Sequence, residues 1–262
     1  ATLSGSDISF SAPANYNGSE EFSVSVSDAE YSDSQSITVT VNAVNDAPVL
    51  ASVGDRSMNE DGSLNFLLSG SDVEGDLLTY SVTSGTHISA DLVGNDLTFT
   101  PDQDFNGSES FTVSVSDGDL SNSETFTLTV NAINDAPVLA SAEDVSFNED
   151  SSGSTSLSAS DVDGDDLTFS ISGGSDITAT LSGADVSFSA PLNYNGSETF
   201  SVSVTDSNGA EDSQSITVTV LAVNDAPVAT TGLSGTTAED QSVVITLSGT
   251  DVDGDALTFA LA

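Results

Sequence analysis

The tetrapeptide Asn-Asp-Ala-Pro occurs three times in the chain, at residues 45–48, 134–137 and 224–227, with spacings of 89 and 90 residues. Repetition at a fixed period is the sequence signature of an array, in which each repeat is one folding unit stacked next to the following one. The spacing predicts two complete repeats, residues 45–134 and 135–224. It also predicts the C-terminal half of a repeat at residues 1–44 and the N-terminal half of another at residues 225–262.

Each complete repeat contains short segments in which apolar residues alternate with Ser or Thr. Alternation with a period of two indicates a strand with one buried face, and no helical period of useful length occurs. In the first complete repeat the predicted strands are residues 49–51, 64–68, 77–82, 88–92, 97–99, 111–115 and 126–130. Seven short strands with turn residues between them are typical of a Greek-key sandwich of about 100 residues. The predicted fold class is all-β, with seven-stranded, immunoglobulin-like Greek-key sandwiches in a linear array.

The two terminal halves affect the expected assembly. Half a sandwich has no second sheet against which to bury its apolar face. We therefore expect the chain to be a piece of a longer array with further repeats on both sides. A second possibility is that residues 225–262 of one molecule pair with residues 1–44 of the next, which would give a head-to-tail filament.

The charge of the chain narrows its range of partners. Acidic residues number 42 and the only Lys or Arg residue is Arg56, so the net charge is −41. The chain cannot neutralise phosphates, which excludes nucleic acid as a partner, and an anionic membrane surface would repel it. No apolar run approaches the roughly 18 residues of a membrane span, so we predict no membrane insertion. There is no cysteine, so bound cations would have to replace disulfides as cross-links.

Acidic residues recur at fixed places in each repeat. Asn-Glu-Asp lies at residues 59–61 and 148–150, and Asp-Val-Glu/Asp-Gly-Asp lies at 72–76, 161–165 and 251–255. One reading is that these turns are simply solvated. The other is that they bind calcium, which takes about six to eight oxygen ligands, often from carboxylates on glycine-containing turns. The recurrence of several clusters in register beside a linker favours calcium, although the spacing is not that of an EF-hand.

The order of these motifs covers the whole chain and carries a resemblance. Asn-Glu-Asp, then Asp-Val-Asp-Gly-Asp-x-Leu-Thr, then Asp-Phe-Asn-Gly-Ser-Glu, then Val-Asn-Asp-Ala-Pro-Val resembles the cadherin-like tandem repeats of giant bacterial surface proteins, such as RTX-type adhesins secreted by type I systems. It is also similar to animal cadherins, whose linkers hold calcium between successive domains.

The resemblance implies Ca²⁺ ligands at three linkers. They are Asn45 and Asp46 with Asp72, Glu74 and Asp117; Asn134 and Asp135 with Glu60, Asp102 and Asp104 of the preceding repeat and Asp161, Asp163 and Asp206 of the following one; and Asn224 and Asp225 with Glu149, Asp251 and Asp253. Two departures from the pattern leave the number of ions open at one to three per linker. Ala238 replaces Asn in the last Asn-Glu-Asp motif, and Asn193 is aligned with Asp102.

The expected function is structural. The single histidine, His87, has no counterpart in the other repeats and no Ser-His-Asp arrangement is present, so we expect no enzyme. We expect an extender segment of an extracellular, cell-surface adhesin that contacts neighbouring repeats and is stiffened by calcium. The alternative is an adhesive module that binds glycans or copies of itself in cell–cell or biofilm contact. Aromatic residues recur at core-like positions, which favours the extender.

Overall fold

The computed structural model of the protein describes residues 1–261, which form β-strands joined by turns with no α-helix among them. Accordingly, the described residues contain no helix that could cross a membrane. The chain divides into two compact units, Ala1–Ile133 and a second unit that begins at Asn134. Ala262, the last residue of the predicted fourth segment, lies outside the described residues.

The first unit contains thirteen strands. They are β1 (Thr2–Ser4), β2 (Asp7–Ser9), β3 (Gly18–Ser27), β4 (Ser32–Val41), β5 (Val49–Leu50), β6 (Arg56–Asn59), β7 (Leu64–Leu67), β8 (Gly70–Ser71), β9 (Thr79–Val82), β10 (Ile88–Val93), β11 (Asp96–Pro101), β12 (Gly107–Ser116) and β13 (Ser121–Asn131).

In the second unit, β14 to β22 repeat the order of β5 to β13, and two further strands follow. Its strands are β14 (Val138–Leu139), β15 (Val145–Asn148), β16 (Ser152–Ser156), β17 (Ala159–Ser160), β18 (Thr168–Gly173), β19 (Thr178–Ser182), β20 (Asp185–Ser189), β21 (Gly196–Thr205), β22 (Glu211–Leu221), β23 (Val228–Ala229) and β24 (Gly249–Thr250).

Each unit contains one complete sandwich of two sheets. In the first unit a four-stranded sheet of order β6-β13-β12-β9 faces a three-stranded sheet of order β10-β11-β7. Alternate side chains of the two sheets meet in one core, which includes Leu97 and Phe99 from β11 and Phe111 and Phe126 from β12 and β13. The second unit has the same two sheets, β15-β22-β21-β18 and β16-β20-β19, and its Phe188 and Phe200 rings lie 5.3 Å apart between centroids.

The structure confirms the predicted fold class, and all seven predicted strands of the first complete repeat are present with shifted ends. The alternation missed strand β6, which pairs in parallel with β13, the last strand of the same repeat. Only Met58 of its four residues is buried, so the segment Arg56–Asn59 has no alternating pattern to detect. β15 pairs in parallel with β22 in the same way.

The strands of the terminal segments pair in twos, and some of their apolar side chains remain exposed. Val26 in β3 and Val115 in β12 occupy the same place in their repeats, yet Val26 is 73% exposed and Val115 is 0% exposed. The difference arises because β12 lies in a four-stranded sheet whereas β3 pairs only with β4 among the described residues. In the last segment β23 pairs with β24, and Phe259 is 51% exposed.

Candidate metal centre

The Asn side chain of the linker before each complete repeat donates a hydrogen bond to an Asp carboxylate of that repeat. This Asp is the first residue of the last hairpin turn in that repeat. Asn45 Nδ2 donates to Asp117 Oδ2 at 2.9 Å, and Asn134 Nδ2 donates to Asp206 Oδ2 at 2.8 Å. Both bonds connect residues that lie 72 positions apart. The end of the sandwich and the linker are therefore joined through an acidic side chain in both complete repeats.

The backbone of the linker binds a second acidic loop of the same repeat. The Asp46 N–H donates to Glu74 Oε2 at 3.2 Å, the Asp135 N–H to Asp163 Oδ2 at 2.8 Å, and the Asp225 N–H to Asp253 Oδ2 at 2.6 Å. All three predicted linker aspartates thus contact the predicted Glu/Asp of the Asp-Val-Glu/Asp-Gly-Asp loop. This arrangement is identical in the two complete repeats and in the last segment.

The Asp-Val-Glu/Asp-Gly-Asp loops are closed by their own first carboxylate. Asp72 Oδ1 accepts the Asp76 N–H at 3.1 Å, Asp161 Oδ1 accepts the Asp165 N–H at 3.3 Å, and Asp251 Oδ1 accepts the Asp255 N–H at 3.1 Å. The loop glycines have φ near +80°, a conformation that glycine adopts without steric cost. The Oδ2 atoms of Asp72 and Asp161 are buried and have no hydrogen-bond partner within residues 1–261.

The hairpin turn between the last two strands holds the remaining predicted ligand of each repeat. Asp206 is 7% exposed, and its Oδ1 accepts three backbone N–H groups of residues 208–210 at 2.9, 2.5 and 2.8 Å. The hydrogen bond from Asn134 is the main cause that lowers the pKa of Asp206, followed by these backbone bonds. The backbone bond from Leu120, followed by the bond from Asn45, lowers the pKa of Asp117. Both carboxylates are therefore held in the charged form that cation binding needs.

Three carboxylates converge at the start of the second repeat. One oxygen from each of Asp161, Asp165 and Asp206 lies within 4.8 Å of the other two. Asp161 and Asp206 were predicted ligands, whereas Asp165 was not. The signal was present, because Asp165 is the last residue of the Asp-Val-Asp-Gly-Asp loop.

β6 pairs in parallel with β13, and β15 pairs in parallel with β22. Each pairing brings the Asn-Glu-Asp motif of a repeat to the linker that follows that repeat. The Glu60 N–H donates to the Asn131 carbonyl at 3.0 Å, and the Glu60 carboxylate accepts the Ile133 N–H at 2.6 Å. The Glu149 carboxylate accepts the Val223 N–H at 2.5 Å in the same way. Glu60 and Glu149 are only 4% and 5% exposed. The undetected parallel strand thus explains why these glutamates lie beside a linker some 70 residues away in sequence.

The turn before β12 corrects one sequence alignment. Asp104 (φ 55°) donates its N–H to Asp61 Oδ1, and Asn193 (φ 58°) donates its N–H to Asp150 Oδ1. Asn193 therefore corresponds to Asp104, and its alignment with Asp102 was wrong.

Asp102 instead lies 3.2 Å from His87 Nδ1. The His87 ring stacks on Phe105 at 4.8 Å. His87 has no counterpart in the other repeats, so this arrangement is confined to the first complete repeat.

Asp225 lies among several carboxylates of the second unit. Burial raises the pKa of Asp225, and the nearby charges of Asp253, Asp150, Glu149 and Asp251 raise it further. Its buried Oδ2 has no hydrogen-bond partner in the described part of the chain. Glu149 and Asp150 belong to the second complete repeat, whereas Asp251 and Asp253 follow Asp225, so carboxylates from both sides of this linker surround it. Such an oxygen-only group suits a hard divalent cation.

The predicted ligand set of the Asn134/Asp135 linker draws on both units. In the first unit Glu60 and Asp104 are held by the bonds described above, and in the second unit Asn134 and Asp206 are hydrogen-bonded to each other. The assembly of these residues into one cation site stays a prediction.

Comparison with known proteins gives a family match and several structural likenesses. Residues 45–131 and 134–219 each match the family model described as bacterial Ig domain. No curated protein matches the chain. Similar solved structures include mouse cadherin-23 EC22-24 (18% identity, 78% of this chain and 74% of that chain covered, TM-score 0.46) and protocadherin gamma B2 extracellular cadherin domains 1-5 (17% identity, 89% and 52% covered, TM-score 0.49).

A glycoside hydrolase family 107 endo-fucoidan hydrolase also matches in structure. It is 22% identical over 80% of this chain, with a TM-score of 0.33, and the chain spans only 35% of its length.

Proposed function

We propose that this chain, which belongs to the bacterial Ig domain family, is an extender segment of a long extracellular, cell-surface protein whose linkers bind calcium. Within this class we propose an RTX-type adhesin as the parent protein, and we propose no catalytic activity for the chain. Its partners would be calcium ions and neighbouring repeats of the same longer protein. The function of such a segment is to hold a distant binding domain away from the cell.

The main support for this proposal is the acidic environment of Asp225. A buried carboxylate oxygen without a partner, beside four further carboxylates, is unfavourable because burial and like charges both oppose ionisation. A divalent cation would reverse both effects, since it supplies the missing partner and neutralises the charges. The donor atoms are all oxygen, which is the preference of calcium. The residues present therefore fit the ion.

The same residue types recur at each linker, which gives a definite ligand assignment. Asp225, Asp251, Asp253, Glu149 and Asp150 would hold the ion at the last linker. At the start of the second repeat the ligands would be Asp161, Asp165 and Asp206 with Asn134, and at the start of the first they would be Asp72, Glu74 and Asp117 with Asn45. Bound calcium would supply positive charge and oxygen coordination at these positions.

The carboxylates explain how the linker could change its stiffness. Without a cation, acidic loops on the two sides of a linker repel each other, and the linker acts as a hinge. When the charges are neutralised, oxygens on both sides can share one ligand, and the linker stiffens. Pro48, Pro137 and Pro227 fix φ directly after the linker and limit its bending.

In the two complete sandwiches, the placement of aromatic rings favours an extender over a glycan-binding module. Phe111 in the first sandwich and Phe200 in the second are both 0% exposed and occupy equivalent positions in the core. Rings that pack the core cannot stack on a sugar.

Calorimetric titration with calcium, and with magnesium as a control, tests the proposal. We expect saturable calcium binding, and we expect Asp225→Asn to weaken or remove one binding event because it removes a charged ligand. Magnesium should bind more weakly, since it demands a tighter octahedral geometry. Absence of any calcium-dependent heat at neutral pH would contradict the proposed function.

A further inference from the structure

Measured from one Asn-Asp-Ala-Pro to the next, the two complete repeats differ in length by one residue, and the additional residue lies beside the acidic cluster of the second repeat. The turn between β12 and β13 spans residues 117–120, whereas the turn between β21 and β22 spans residues 206–210. This insertion accounts for the change of the Asn-Asp-Ala-Pro spacing from 89 to 90 residues. The longer turn gives Asp206 Oδ1 three backbone N–H donors, and the shorter turn gives Asp117 Oδ1 two.

Asn208, in the longer turn, binds three separate parts of the second repeat. Its backbone N–H donates to Asp206 Oδ1 at 2.9 Å. Its side-chain Nδ2 donates to Asp165 Oδ2 at 2.6 Å and also to Asn134 Oδ1. One amide therefore connects the hairpin turn, the Asp-Val-Asp-Gly-Asp loop and the linker, and it occupies two oxygens that a cation would otherwise use.

Asp119 holds the corresponding position in the first repeat. Its backbone N–H donates to Asp117 Oδ1 at 2.8 Å, as that of Asn208 does to Asp206. Its side chain is exposed and makes no hydrogen bond within residues 1–261. The first repeat therefore has a free carboxylate where the second repeat has an amide donor.

We propose that Asn208 and Asp119 set different cation affinities at the starts of the two complete repeats, an inference that rests on the proposed calcium function. Asn208 is a positioning residue that holds Asp165 and Asn134 together without a cation, and it lowers calcium affinity because its amide must give up these oxygens. Asp119 adds a negative charge next to Asp117 and raises calcium affinity. The first repeat thus fills at a lower calcium concentration than the second.

The test uses the whole chain and reciprocal substitutions, Asn208→Asp and Asp119→Asn. Ser207→Asp is the matched control, because Ser207 is exposed in the same turn and the substitution adds the same charge. The backbone amide signals of Gly75 and Gly164, which lie in the acidic loops of the two repeats, report calcium binding at each site separately during an NMR titration. We expect Asn208→Asp to raise the affinity reported by Gly164 about threefold or more, and Asp119→Asn to lower that reported by Gly75 by a similar factor.

A second readout needs no calcium. In chelator, Asn208→Asp places a carboxylate against Asp165, so its melting temperature should fall below that of Ser207→Asp. Asn208→Ser removes the two side-chain bonds without adding charge. In chelator this variant should melt at a lower temperature than the wild type. The calcium response of the Gly75 signal should be the same in both.

The outcomes separate this inference from the proposed function. If calcium binds but Asn208→Asp and Ser207→Asp behave alike at Gly164 and Asp119→Asn leaves Gly75 unchanged, the inference is wrong and the calcium function stands. If no variant and no wild-type signal responds to calcium, the proposed function itself fails.

Discussion

The side chain of Asn134 donates a 2.8 Å hydrogen bond to the carboxylate of Asp206, which lies 72 residues further along the chain. Asn45 and Asp117 make the same bond across the same sequence distance. Asn134 lies in the linker before the second complete repeat and Asp206 opens the last hairpin turn of that repeat, so the bond fixes the linker to that sandwich. The position of the linker therefore depends on an acidic group at the proposed calcium site.

Removal of the Asp206 charge should weaken calcium binding without unfolding the repeat. In Asp206→Asn the amide oxygen can still accept backbone N–H groups, but the negative charge is lost. We expect the calcium affinity at this site to fall by about tenfold or more, since charged ligands dominate calcium affinity. Calcium calorimetry measures this change. Asp176→Asn, which removes a charge from an exposed loop residue, should leave the affinity within about twofold.

Glu198 should make the second sandwich sensitive to acid. Its carboxylate accepts the N–H groups of Asp176 and Ile177, then of Ser175, and these bonds lower the pKa of Glu198 to about 2. A lowered pKa in the folded state contributes stability that is complete above the unfolded value of 4.5 and is lost as the pH falls from about 4.5 to about 2.

We therefore expect Glu198→Gln to melt at a lower temperature than the wild type at pH 7. The difference should shrink as the pH falls and disappear near pH 2. Thermal unfolding by circular dichroism between pH 2 and pH 7 measures it. Glu211→Gln is the control, because the Glu211 side chain is exposed and makes no hydrogen bond in residues 1–261. A pH-independent deficit in Glu198→Gln would contradict the assigned cause.

The sequence was sufficient for the strands whose side chains alternate and for the acidic loops that repeat. Alternation predicted β12 and β13 because every second side chain enters the core. It could not predict β6, whose existence depends on parallel pairing with a strand some 70 residues away rather than on its own pattern. Glu198 and Asn208 escaped notice for a related reason: each acts through backbone or side-chain atoms that only the folded turn brings into reach.

Gly174 should not accept any side chain. Its φ is +76°, and an added Cβ would lie 2.5 Å from the Ile177 carbonyl oxygen and 2.6 Å from Phe200 Cζ. Gly183 has a similar φ of +66° but no atom within 4 Å of such a Cβ. We expect Gly183→Ala to cost about 1 kcal/mol from its backbone conformation alone. Gly174→Ala should cost roughly 1–3 kcal/mol more, because the core would have to shift.

Denaturant unfolding of the two glycine variants measures this difference. Equal free energies of unfolding would show that the loop at residues 173–178 is not packed against Phe200 as described. The comparison is direct, because both substitutions add one methyl group at a positive φ and differ only in their surroundings.

Small-angle X-ray scattering of the chain with calcium and with chelator tests the central claim most directly. Calcium at the linkers should stiffen the array, so we predict that chelator reduces the maximum dimension and produces the scattering of a flexible chain. Circular dichroism of the same samples should still show folded β-structure, because the two sandwich cores are built from apolar residues. Identical scattering profiles with and without calcium would contradict the claim that these linkers are calcium-stiffened.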